Sequence, residues 1–436
     1  MTAGYPTTIS SPAGKFWVWS PGVLLFLNVI LTTWVVFFLH PMETAIYSDM
    51  NEYVYRADQI TNGLYDLNHF FQPIGYSLWI ACFRYIDGGG WELLKLSHVL
   101  LVLLSVYFGW QTARLLLPAK WDIGVLFLLS FNMQWVQLAS YALSETLYTF
   151  LITLLLWSTV RWAKYSRSRD AVMVGLLFGL GFFVKGAAVF FPPILLLWGM
   201  IRVTRYKLSL HPTLTQLLVM GACAMVIAVA HGTYSQITYG QFKLGADAGG
   251  LNFIEGKCPA KHNFDNTGYS WLSPLHLYLG ETEQKHWDIP FSDQAYYWSQ
   301  GWGCIKENPV VVLTSLRYIY YLFAGNPLWP NAEQGKYYEA WFTVVILPLF
   351  IIGLLVACRQ WDKPIIVPAL LLLSLFLVAW IFKSELRFRV PFDAVIMIYV
   401  VLGTRTSWLW VSRIARMRFG GRHHPAAGTD ESQGIL

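Results

Sequence analysis

The chain has 436 residues, of which 56% are hydrophobic, 17% aromatic and only 13% charged, with a formal net charge of +6. A soluble domain carries about 25% charged residues, so an ordinary soluble fold is excluded. The basic excess sits in short clusters beside apolar runs, which argues against a nucleic-acid surface.

The apolar residues gather into blocks close to the roughly 20 residues that cross a bilayer. In chain order they lie at 18–39, 93–117, 122–140, 143–163, 171–187, 188–204, 213–232, 340–357, 364–382 and 390–411. They predict an all-α polytopic membrane protein of about ten transmembrane helices, with interfacial helices and a long external loop. The first block is too long and continuous for a cleaved signal peptide, so it is expected to remain as the first span. The apolar run 73–86 holds Arg84 and lies between Pro73 and Gly88-Gly89-Gly90, which fits an interfacial helix better than a span. The run 309–325 is read as interfacial too.

Orientation follows from the basic residues. Clusters at Arg161–Arg169, Arg202–Lys207, Arg359–Lys363 and Arg413–Arg422 all fall in the cytoplasm in one consistent threading. The chain then divides into an N-terminal transmembrane module, 1–232, with an external loop over 40–92. An external region follows at 233–339, then C-terminal transmembrane helices over 340–411 and a cytoplasmic tail over 412–436. The tail from Gly420 is expected to be disordered.

Several charged residues stand where membrane rules disfavour them. Asp49, just beyond the first span with Glu52 three residues on, is either a helix N-cap or a general base for a hydroxyl at the membrane surface. Glu145 opens a span behind Ser144; it either complements the helix dipole or is functional. Lys185 closes an apolar run on the external face, as a snorkelling side chain or a phosphate ligand. Gly175 and Gly179, about two to three turns earlier, fit close helix packing. The last external turn carries Lys383, Arg387 and Arg389. Either Glu385 and Asp393 neutralise these cations or an anion such as phosphate does, to which the guanidinium fork is suited. His98, Lys95 and His231 fit buried pairing or head-group contact. Cys258 and Cys304 share the long external region and form a candidate disulfide. Nucleotide, zinc-ligand and protease motifs are missing, no cofactor is indicated, and dependence on a divalent metal stays open.

Taken in order, these elements resemble the C-type glycosyltransferases related to protein O-mannosyltransferases and the bacterial lipid A aminoarabinose transferase. The resemblance rests on the early external Asp49, Phe71-Gln72-Pro73-Ile74-Gly75-Tyr76, Ser144-Glu145-Thr146-Leu147, Gly179-Leu180-Gly181-Phe182-Phe183-Val184-Lys185-Gly186 and Arg387-Phe388-Arg389-Val390-Pro391. It implies an inverting transfer of a monosaccharide from a polyprenyl-phosphate donor to a lipid, glycan or protein acceptor outside the cytoplasm. Asp49 would be the base, Glu145 the second acidic residue and Glu52 an alternative carboxylate. Lys185 with Arg387 or Arg389 would hold the donor phosphate. Membrane lipids, but no nucleic acid, are expected as partners, in a bacterial inner membrane with the site facing the periplasm or exterior. The rival readings are a transporter or flippase, which needs charges near mid-membrane, and a polymerase or ligase using lipid-diphosphate donors.

Overall fold

The computed structural model describes residues 12–44, 46, 49–64, 71–206, 210–258, 293–323, 342–384 and 386–419. Every regular element among them is helical. The expected disorder from Gly420, and Glu385, lie outside the described residues.

The first apolar block becomes α1 (Pro12–Trp34), which continues through a π-helical turn at Val35–Leu39. Two short helices follow, α2 (Asp49–Asn62) and α3 (Gly75–Ile86), packed on each other. At about 1.5 Å per residue α3 rises only about 18 Å, too short to cross, as its flanking Pro and Gly residues predict. Next come α4 (Glu92–Leu116), α5 (Asp122–Ser130), α6 (Met133–Leu138), α7 (Glu145–Tyr165), α8 (Ser168–Val184), α9 (Phe191–Tyr206) and α10 (Leu210–Tyr239). After α10 the described residues form α11 (Ala248–Lys257), α12 (Gln294–Glu307), α13 (Val311–Thr314) and α14 (Arg317–Tyr321). The chain then runs through α15 (Leu347–Cys358), α16 (Val367–Ile381), the single turn α17 (Leu386–Arg389) and α18 (Asp393–Phe419). The run 309–325 is therefore broken, over its described part, into α13 and α14, neither of spanning length.

Among the described residues five helical stretches are long and apolar enough to cross a membrane: Pro21–Thr44, Glu92–Leu116, Gly186–Arg205, His211–Thr238 and Pro364–Ile381. The chain is a membrane protein. The expected span 122–140 is instead broken into α5 and α6. Asn132 is the reason: its Oδ1 accepts from the backbone N–H groups of Gln134 (3.1 Å) and Trp135 (3.3 Å), which starts a new helix in place of continuing the old one. Such a break is tolerable at membrane depth only inside protein, and residues 134–136 and 138 are buried.

Helix α7 forms the centre, with most of its residues buried against α4, α8 and α16. Its 21 residues rise about 30 Å, near the hydrocarbon thickness of a bilayer. Glu145 lies at one end. At the other, Lys164 Nζ donates to the Leu115 carbonyl at 3.0 Å and Gln216 donates to the Ser166 carbonyl at 2.8 Å. The basic connections thus gather at the end remote from Glu145.

Glycines set the closest approaches. A Cβ on Gly175 would stand 2.3 Å from the Met220 carbonyl oxygen, and one on Gly179 2.9 Å from the Ile227 side chain, so this pair does bring α8 against α10. The tighter contact is between α15 and α18, where a Cβ on Gly353 or Gly403 would lie 1.9 Å from the carbonyl oxygen of Tyr399 or Leu349. Gly403→Ala is expected to cost about 1–3 kcal/mol by overpacking and to lower the thermal midpoint of the purified protein. Gly221→Ala, where the new Cβ meets nothing within 4 Å, is expected to leave that midpoint unchanged or slightly raised, since Ala is the better helix former.

Candidate active site

The end of the bundle that carries Glu145 holds a cavity of about 520 Å³, a size usual for a small-molecule site. Its walls come from the start of α2, the segment before α3, the end of α8 and the following turn, α11, and the stretch between α16 and α17. Every one of these belongs to, or adjoins, a stretch that the sequence threading places outside.

Asp49 is the first residue of α2, where a carboxylate complements the helix dipole. Its Oδ2 accepts from Arg387 Nη1 at 2.7 Å, and among the described residues no backbone N–H of α2 donates to it. Burial works to raise the pKa of this carboxyl, but Arg387, with Lys185 and Lys383 beyond it, more than offsets that and holds it below the ordinary value. Glu145, only 1% exposed, lies behind the cavity wall and accepts from Lys185 Nζ at 2.7 Å. Arg387 Nε stands 3.9 Å from the same Glu145 oxygen, so the two carboxylates and two cations form one interlocked set. The Phe388 ring packs against both cations, 4.8 Å from Lys185 Nζ and 5.7 Å from Arg387 Cζ.

Ser144 caps nothing with its side chain. Its hydroxyl accepts from the Tyr53 hydroxyl at 3.1 Å and reaches Glu145 Oε2 at 3.4 Å, tying α2 to the start of α7. Burial pushes the Tyr53 hydroxyl pKa up, so it remains a donor at neutral pH. Further in, Tyr76 meets His98 Nε2 at 3.2 Å and His98 Nδ1 meets the Ala139 carbonyl at 2.9 Å, so this histidine is a buried, paired residue. Lys95 pairs with Glu92 and Glu43, and His231 with the Lys243 carbonyl.

Two of the sequence candidates point elsewhere. Glu52 is half exposed and pairs with Arg56, one helical turn on, at 3.0 Å. Arg389 is fully buried, with Nε 3.1 Å from Asp393 Oδ1 and Nη2 donating to Gln134; Asn132 Nδ2 donates to Asp393 Oδ2 at 3.0 Å. This cluster locks the broken helix α5–α6 to the start of α18. In a helical turn, residues two apart point about 200° from each other, so Arg387 and Arg389 cannot share the cavity. Asp393 neutralises Arg389 as one sequence reading allowed, while Arg387 answers to Asp49.

Cys258 and Cys304 are joined in a disulfide, with Cα atoms 5.4 Å apart. It fastens α11 to α12, and a closed loop of this size stabilises by about 4 kcal/mol in the chain-entropy model. Across the cavity, α11 contributes Asn252 and Glu255, and Glu255 pairs with Lys383. Among the described residues no three His, Cys, Asp or Glu side chains gather into a metal site.

Residues 72–231 match the family model described as dolichyl-phosphate-mannose-protein mannosyltransferase. Over 95% of its length the chain is similar to the oligosaccharyltransferase AglB of Archaeoglobus fulgidus, solved in complex with an inhibitory peptide and a dolichol-phosphate, with a TM-score of 0.53 and 13% identity. The chain shares the fold of this oligosaccharyltransferase. A second structure of the Archaeoglobus fulgidus oligosaccharyltransferase, tethered with an acceptor peptide containing the NVT sequon, matches with a TM-score of 0.52 at 13% identity, again over 95% of this chain and 53% of that one. ArnT from Cupriavidus metallidurans, bound to undecaprenyl phosphate, matches more loosely, with a TM-score of 0.39 at 13% identity over 95% of this chain and 82% of that one. No curated protein matches significantly in sequence. The chain spans about half the length of the archaeal oligosaccharyltransferase, 53% of which is covered.

The segment matched by the family model carries Gln72, Glu145 and Lys185 and stops short of α11. Tyr53, Glu255 and Lys383 were not singled out as site residues by the sequence, and Asn252 stood out only within Gly249-Gly250-Leu251-Asn252-Phe253, a stretch that resembles a Gly-x-Asn-aromatic segment of bacterial relatives. Lys383 had a signal, as one of three cations in seven residues. Glu255 had none, because its partner Lys383 lies far away in the chain.

Proposed function

We propose that this chain is an inverting glycosyltransferase that moves a monosaccharide from a polyprenyl-phosphate donor to a hydroxyl acceptor on the non-cytoplasmic side of a bacterial inner membrane. The interlocked set of Asp49, Arg387, Glu145 and Lys185 at one cavity carries this reading. Arg387 and Lys185 supply the charge-assisted hydrogen bonds that a phosphodiester needs to leave as polyprenyl phosphate. Asp49 takes the proton of the acceptor hydroxyl as its oxygen attacks the anomeric carbon and the carbon–oxygen bond to phosphate breaks. A single displacement inverts the anomeric centre and needs one base. A retaining route would need a second, nucleophilic carboxylate, and Glu145 is enclosed behind Lys185.

Before the donor binds, Arg387 is held by Asp49. Donor phosphate takes the guanidinium over, and Asp49, released from its cation, becomes the stronger base. Donor therefore precedes proton abstraction. The dolichol-phosphate seen with the archaeal oligosaccharyltransferase supports a lipid phosphate as leaving group in this fold. The gathering of Asp49, Glu145, Lys185 and Arg387 at one end of α7 weighs against a transporter, which needs such charges near mid-membrane.

The test is incubation of the purified protein with a panel of polyprenyl-phosphate monosaccharides and candidate acceptors, with mass spectrometry of the lipid product. Polyprenyl monophosphate is expected from at least one donor. Turnover only with lipid-diphosphate donors, releasing the diphosphate, would replace this reading by a polymerase or ligase.

A further inference from the structure

Helix α11 is short, yet it is fastened on several sides. The disulfide joins its C-terminal end to α12, and near its start Gly250 N–H donates to Gln294 Oε1 at 2.9 Å. Ser315 donates to the Gly256 carbonyl at 3.2 Å and Tyr318 to the Glu255 carbonyl at 3.1 Å. Lys257 Nζ donates to the Trp380 carbonyl at 2.6 Å, at the end of α16. Gly256 lies so close that a Cβ there would stand 1.8 Å from the Phe382 carbonyl oxygen. These ties fix α11 against the very stretch, 380–388, that delivers Lys383 and Arg387.

The free side of α11 faces the cavity. Ala248, Leu251, Asn252 and Glu255 line it, at the i, i+3, i+4 and i+7 spacing of one helix stripe. Asn252 and Glu255 are one turn apart, with Cβ atoms about 5–6 Å from each other in such a pair. The Asn252 carboxamide, half-buried, makes no hydrogen bond to the described residues. Glu255, 6% exposed, presents a carboxylate paired with Lys383, and Phe382 adds an aromatic surface beside them. The phosphate-holding cations and Asp49 belong to the other walls. What remains here is a rigid face with an amide that donates and accepts, a carboxylate that accepts, an ammonium that donates and an aromatic ring. That set, with Ala248 and Leu251 beside it, suits a polyhydroxylated ring with one apolar face.

We propose that the cavity face of α11, through Asn252 and Glu255 with Lys383, is the subsite that reads the hydroxyl pattern of the transferred sugar. The assignment rests on the donor reading above and adds to it which residues choose among donors. The experiment measures binding of bare undecaprenyl phosphate and of a panel of undecaprenyl-phosphate hexoses and pentoses to wild type, Asn252→Ala, Glu255→Gln and Arg387→Ala. Thermal midpoints are recorded in parallel. Asn252→Ala and Glu255→Gln are expected to bind bare undecaprenyl phosphate as wild type does. For the best sugar-bearing donor they are expected to lose about tenfold or more, the usual effect of stranding a buried hydrogen-bonding group. Unchanged affinity of both variants for every sugar-bearing donor overturns the subsite, as does an equal loss for bare and sugar-bearing lipid. Failure of the donor reading looks different: Arg387→Ala then binds bare undecaprenyl phosphate as well as wild type does.

Discussion

Asp49→Asn is expected to leave the protein folded and to cut turnover by about 10²–10⁴-fold, the usual worth of a general base. Asn is nearly as good as Asp at a helix start, so a purely structural Asp49 predicts survival of activity. The substitution has a second effect that a structural role does not produce. It removes the carboxylate that competes with donor phosphate for Arg387, so affinity for bare undecaprenyl phosphate is expected to rise while turnover falls. Single-turnover assays and lipid binding on the same preparation read both. Near-normal turnover would end the assignment of the base, and unchanged lipid affinity would end the idea that Asp49 and phosphate share Arg387. The pH dependence has a definite sign. The depressed pKa of Asp49 makes its ion pair contribute stability above the ordinary carboxylate pKa, and that contribution is lost as pH falls through the lower, folded value.

Arg387→Ala is expected to weaken donor binding by about ten- to a hundredfold, the equivalent of one charge-assisted hydrogen-bonded contact of about 1.5–3 kcal/mol. Arg387→Lys keeps the charge but loses the two-pronged geometry and is expected to recover only part of it. Arg389→Ala gives a different phenotype. It strands the fully buried Asp393, at a cost of about 3–5 kcal/mol, and so lowers expression and thermal stability before any binding is measured. Titration of undecaprenyl phosphate into each purified variant, alongside its thermal midpoint, separates the two arginines. Wild-type affinity in stable Arg387→Ala would remove this residue from the phosphate site.

Why the sequence could nominate both arginines but not choose between them is a matter of register. Lys or Arg on an external turn is conspicuous by sign alone, yet which one faces inward depends on a single helical turn that no apolar period announces. The helices themselves were legible because twenty-residue apolar runs have few alternatives. The break at Asn132 was not, since hydropathy averages over a cap made by one carboxamide. Asp49, Glu145 and Lys185 stood out as charges at membrane boundaries, and their convergence depends on α2, α7 and α8 ending at one level, which follows from helix lengths once each start is known. Glu255 stayed hidden because burial of a carboxylate beside Lys383 is a tertiary fact. The Gly353–Gly403 approach escaped for the same reason: each glycine is ordinary until the facing helix is placed.

On the proposed mechanism the Asp49–Arg387 pair would also govern when activity can begin. Asp49 emerges early in translation and Arg387 late, and at about 5–20 residues per second the interval between them is on the order of tens of seconds. Glu145 meets Lys185 sooner, after one helical hairpin. Throughout that interval the nascent chain holds an acid without its guanidinium and cannot grip a lipid phosphate in its mature geometry. On the proposed donor chemistry a half-made chain would be inert, and competence would arrive only when the segment beyond α16 is in place.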